Sequence, residues 1–123
     1  MADFKNLIVW QKARLLVNLT YRSTRGFPPH EMFGLAGQMQ RAAISILSNI
    51  AEGYGRGTDT DFSRFLKIAR GSLFELESQY YAAFDLGYLE EHQLQHAIAS
   101  CGEVGRLLTG MLKRLHQDTI GSR

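Results

Sequence analysis

Apolar and polar positions in this chain recur at helical spacing four times and nowhere alternate as they would along a strand. The most informative stretch is Gln38–Arg56, which carries no charge between Arg41 and Glu52. At about 100° per residue, Gln38, Arg41, Ser45, Ser48, Asn49, Glu52 and Arg56 fall on one narrow side. Met39, Ala42, Ala43, Ile46, Leu47, Ile50 and Ala51 cover most of the rest. A helix apolar around so much of its girth belongs inside an assembly, with one polar seam.

The first helix is predicted over about 5–22, where Val9, Trp10, Ala13, Leu16 and their neighbours wrap more than half of the circumference. The second is predicted over about 29–54. Pro29 suits its first turn, Glu31 lies near its positive end, and Gly53, Gly55 and Gly57 stop it. Thr58 with Asp61 reads as the capped start of a third helix over about 59–86, with Gly87 just beyond its end. The fourth is predicted over about 90–116, with Leu94, Ala97, Cys101, Val104 and Leu108 in line and residues 117–123 as a frayed tail. Short connections favour antiparallel neighbours, so the expected fold is all-α, an up-down-up-down four-helix bundle in a single domain, 1–123. Helices one and two carry more apolar surface than one bundle face needs, which predicts a homo-oligomer.

Composition adds bounds. Of the 123 residues, 45% are hydrophobic and 21% charged, as in ordinary globular proteins. No run approaches a membrane span and no cleavable leader is evident, and a lone cysteine, Cys101, fits a reducing cytoplasm. The net charge of +2 only permits a nucleic-acid partner.

Several blocks together resemble a known family: LIVWQKA in the first helix, Phe27-Pro28, Glu31 with Phe33-Gly34-Leu35, QMQRAAISILSNIAEGYGR, and FLKIARGSLFELESQ in the third helix. Their order and spacing, from about Phe4 to Leu89, are similar to those of the four-helix-bundle proteins encoded in bacterial 23S rRNA intervening sequences. The resemblance implies a cytosolic bundle that assembles into a ring or barrel, with a pentamer as the family's example. Relatives include the accessory protein of diversity-generating retroelements, which binds nucleic acid through a basic surface. The family's own biochemical activity is poorly defined.

Candidate chemistry is sparse. Arg64, Lys67 and Arg70 form a basic stretch on the exposed side of helix three, with Arg56 just before it and Glu75, Glu77 and Asp85 further on. Such a stretch either contacts phosphates or is a solvated face, and no interleaved aromatics point to base stacking. The seam residues Gln38, Arg41, Ser45, Asn49 and Glu52 either line a ligand contact or fix register between helices or subunits. His92 and His96 share a helix face without a third ligand, so neither a metal nor any other cofactor is expected. The Gly53–Gly57 cluster follows a helix rather than a strand, which argues against a phosphate loop. Cys101 reads as a buried small hydrophobe. Phe74 and Tyr81, seven apart and off the main stripe, are partner contacts or are covered by a loop or subunit. No paired catalytic groups emerge, so a binding protein or a structural scaffold is expected rather than an enzyme.

Overall fold

A computed structural model describes the backbone of residues 3–121 and the side chains of residues 3–117. Four helices are present among the described residues: α1 (Ile8–Thr24), α2 (Leu35–Gly55), α3 (Asp59–Asp85) and α4 (Glu91–Gly121). The described residues contain no strand. One hydrophobic cluster draws on all four, with Leu16, Met39, Ile46, Leu66, Leu76, Tyr80 and Leu108 at most 2% exposed.

The helix starts differ from the sequence reading for local reasons. Asp3 caps a 3₁₀ turn at Phe4–Asn6, its Oδ1 accepting from Lys5 N, and extended Leu7 then separates that turn from α1. The turn sets Phe4 edge-on to Trp10. Pro29 opens a 3₁₀ turn of its own, Pro29–Glu31, rather than α2. The expected role of Glu31 survives this shift, because its Oε1 accepts from Leu35 N at 3.1 Å at the true start of α2. At the other end, α4 continues past His116 to Gly121, since residues 117–120 contain neither Gly nor Pro. Of the expected tail, residues 117–121 are helical, and residues 122–123 lie outside the described residues.

Two boundaries match. Thr58 Oγ1 accepts from Asp61 N, and the chain after α3 turns through Gly87 at φ +81°. There Gly87 N donates to Phe84 O and Tyr88 N to Ala83 O, which closes the orphan carbonyls of α3. Gly53, by contrast, does not stop α2. It is buried within the last turns, where an added Cβ would lie 2.5 Å from Phe65 Cβ and 3.2 Å from Phe62 Cδ1. Gly53 is there to let α3 approach.

Glu31 also ties two connections together. Tyr88 donates its hydroxyl to Glu31 Oε2 at 2.8 Å, and Phe27 packs at a tilt against Tyr88 with ring centroids 5.1 Å apart. The Leu35 amide, then the Tyr88 hydroxyl, hold the Glu31 carboxyl below its usual value of 4.5. A lowered folded-state value means this clasp contributes fully above pH 4.5 and is lost as pH falls through the lowered value. Glu31→Gln should therefore melt earlier than the parent at neutral pH, and the gap should close under acid. Thermal melts between pH 3 and 7 would show it; a gap independent of pH would refute the clasp.

Candidate functional site

The four basic residues singled out in the sequence are divided by their surroundings. Thr58 caps α3, so Arg64 follows within the first two turns, and the chain bends back from Arg56 at the end of α2. Arg56 and Arg64 both lay their guanidinium groups over the buried Phe65 ring, at 5.0 and 4.6 Å from its centroid. Each also has a carboxylate: Arg56 Nη2 donates to Glu52 Oε2 at 2.9 Å, and Arg64 Nη2 to Asp61 Oδ1 at 3.4 Å. Both remain about half exposed.

Arg64 and Lys67 line a surface cavity of about 550 Å³ together with Thr60, Ser63, Leu112 and His116. The wall opposite α3 is thus the end of α4. Arg106 and Lys113 line the next cavity along the same pair of helices. Arg70 is half-buried and outside the first cavity. Lys67, Arg70, Arg106 and Lys113 form no ion pair among the described residues.

The sequence reading missed the α4 contribution. Its signal was present: no acid lies between Val104 and Gln117, while Arg106, Lys113, Arg114 and His116 do. Pairing the end of the fourth helix with the start of the third would have found it. Chemically, cations and hydroxyls around an open depression suit an oxyanion such as a phosphate.

The seam on α2 also divides. Ser45 and Ser72 share a hydrogen bond of 2.9 Å between α2 and α3, and Asn49 Nδ2 donates to Ser45 O at 2.8 Å and Ser45 Oγ at 3.1 Å. This half bonds within the chain, as a register device would. Gln38 and Arg41 are exposed, and neither side chain makes a hydrogen bond or ion pair with another described residue. Arg41 instead sits in a depression edged by Tyr21, Met32, Phe33 and Ile44. Phe33 there is 89% exposed.

The remaining candidates show no reactive geometry. Cys101 is buried, and burial pushes its thiol up to about 12, so it is no thiolate at neutral pH. No group of three His, Cys, Asp or Glu among the described residues is placed to hold a metal ion. No described helix is long and apolar enough to cross a membrane.

The family model described as "23S rRNA-intervening sequence protein" matches residues 5–110. A crystal structure of a protein of unknown function from the S23 ribosomal protein family of Bacteroides thetaiotaomicron has a similar fold, with a TM-score of 0.77 at 22% identity. The match covers 86% of this chain and 96% of that one. Among curated proteins, none matches.

Proposed function

Because the chain belongs to the 23S rRNA-intervening sequence protein family, we propose that it is a non-catalytic, cytoplasmic accessory protein that contacts nucleic-acid phosphates through Arg56, Arg64, Lys67 and Arg70. The observation that carries this reading is the depression where Arg64 and Lys67 of α3 meet His116 of α4, with Arg106 and Lys113 further along. Phosphate contact needs positive charge held on one surface, not a large net charge.

The reading includes an up-down-up-down order and self-association. Support for the order comes from paired positions: Thr20 meets Tyr80, Lys12 meets Glu103, and a Cβ on Gly105 would touch Leu73. Self-association is supported by apolar residues left open on α1 and α2, among them Ile8, Leu15 and Ile44. The family resemblance favours a ring, with a pentamer as its expected size. A ring would repeat the basic surface and raise a weak single-copy affinity.

The test is RNA binding over a salt series. If four cations of one subunit each meet a phosphate, affinity for single strands should fall about 50-fold between 50 and 200 mM salt. Replacing Arg56, Arg64, Lys67 and Arg70 with Gln should lower affinity and flatten that dependence. An absence of binding at 50 mM salt would sink the proposal. A second reading, a protein-interaction scaffold without a nucleic-acid role, is favoured by the open cluster of Tyr21, Met32, Phe33 and Ile44.

A further inference from the structure

In the groove between α3 and α4, the cavity next to the Arg64–Lys67 depression sets an open aromatic ring among cations. Phe74 of α3 lines it and is 59% exposed. Arg106 and Lys113 of α4 line the same cavity, and neither forms an ion pair among the described residues. Its volume of about 510 Å³ falls within the range of about 300–1,000 Å³ usual for ligand sites. Along the sequence no aromatic is interleaved with the basic stretch of helix three. Folding supplies one, because Phe74 follows Arg70 by one helical turn and α4 brings its own cations alongside.

Glycines shape the α4 wall. A Cβ on Gly105 would lie 3.3 Å from Leu73 Cδ2, so α4 runs close to α3 beside the ring. A Cβ on Gly102 would lie 3.3 Å from Arg106 Nη1, so the guanidinium folds back along α4 over that glycine. Glu77 also lines the cavity and forms no ion pair among the described residues. An ionised carboxylate repels phosphate but accepts from N–H donors, so it suits the edge of a base.

We propose that this cavity takes an unpaired base of single-stranded RNA, stacked on Phe74, with the adjoining phosphates on Arg106 and Lys113. The inference rests on the phosphate-contact reading and narrows its substrate class to single strands. Bases inside a duplex stack on one another and cannot reach the ring, whereas an unpaired base has a free face to offer. A second copy of the chain is a poorer occupant. A protein surface laid over Phe74 would bury two cations beside a single carboxylate, and a nucleotide brings its own counter-charge. The open apolar residues that favour self-association, Ile8, Leu15 and Ile44, lie on α1 and α2 instead.

The test uses an oligouridylate of about 12 nucleotides and a mixed-sequence RNA duplex of about 12 base pairs, over a salt series starting at about 50 mM. Phe74→Ala should weaken oligouridylate binding about tenfold, the worth of one base stacked on an aromatic ring. Duplex affinity and both salt dependences should stay as in the parent. Phe74→Trp should keep the parent affinity and gain a fluorescence that oligouridylate quenches, beyond any change the parent shows at Trp10. All three proteins should elute as the same assembly. Undiminished oligouridylate binding by Phe74→Ala, an equal loss for both RNAs, or an unquenched Phe74→Trp would overturn the proposal. So would a changed assembly, which would make Phe74 a contact between subunits. If the parent binds neither RNA, the phosphate-contact reading falls as well; salt-dependent binding indifferent to Phe74 removes this inference alone.

Discussion

Replacing Gly53 with valine should separate α2 from α3 and lower the melting temperature far more than the same replacement at Gly55 or Gly71, where nothing lies within 4 Å of an added Cβ. A Cβ at this position would lie 2.5 Å from Phe65 Cβ, an atom fixed to the α3 backbone, so the helices themselves must move. Alanine already meets that contact. Its better helix propensity returns at most about 1 kcal/mol, against an overpacking cost of about 1–3 kcal/mol. Valine adds two methyl groups facing Phe62 and Phe65 and should exceed the alanine cost. At roughly 3–6 °C per kcal/mol for a chain of this size, a fall of about 10 °C or more is expected. Gly71 supplies the control: it lies inside α3 with nothing within 4 Å of an added Cβ. Gly71→Ala should stabilise, by up to about 1 kcal/mol. If Gly53→Ala and Gly71→Ala raise the melting point alike, the close approach of the helices is refuted.

Tyr80→Ala should be the most damaging truncation in the core. Tyr80 is fully buried, and its hydroxyl lies 2.9 Å from Thr20 Oγ1 and 3.4 Å from Ser23 Oγ. Thr24 extends this polar line, donating to Thr20 O and accepting from Gln40 Nε2, so α1, α2 and α3 all hang on it. Removing a buried aromatic ring costs about 3–5 kcal/mol, a large share of a total stability of about 5–15 kcal/mol. Tyr80→Phe keeps the ring and should cost about 1 kcal/mol, mostly by leaving the Thr20 hydroxyl without its partner. The pair also differ from the parent under alkali. Burial pushes the Tyr80 hydroxyl above its usual value of 10, so its contribution is intact below pH 10 and drains away as pH rises through the raised value. Denaturant melts at pH 7 and above 10 should show Tyr80→Phe losing less over that interval than the parent. A steeper loss would contradict the buried hydroxyl.

The architecture was legible because periodicity is a property of many residues at once. The apolar stripe of α3, from Phe62 through Leu73 to Tyr80, and that of α4, from Leu94 to Leu108, are buried as their spacing predicts. Boundaries were less legible where one residue decided them. Pro29 is compatible with the start of an α-helix or of a 3₁₀ turn, and the choice rests on the Glu31 carboxylate, which reaches both Leu35 and Tyr88. Gly53 looked like a stop because glycine spacing cannot distinguish a residue that ends a helix from one that admits a neighbour. The basic surface was half legible for a related reason. Its α3 members are adjacent in sequence, whereas His116 and Lys113 join them only through the packing of α4.

The two arginines over Phe65 bear on how tightly the basic surface could grip anything. A long flexible cation normally surrenders about 2 kcal/mol of rotamer entropy when it is fixed by a ligand. Arg56 and Arg64 are already restrained, each between the Phe65 ring and its own carboxylate, before any ligand arrives. Folding has therefore met much of their ordering cost, leaving them preorganised. Lys67, without an ion pair, must meet that cost at the moment of contact. Its long stem can still follow a phosphate whose position varies. The surface combines fixed forks with a mobile charge, an arrangement suited to a backbone of irregular shape.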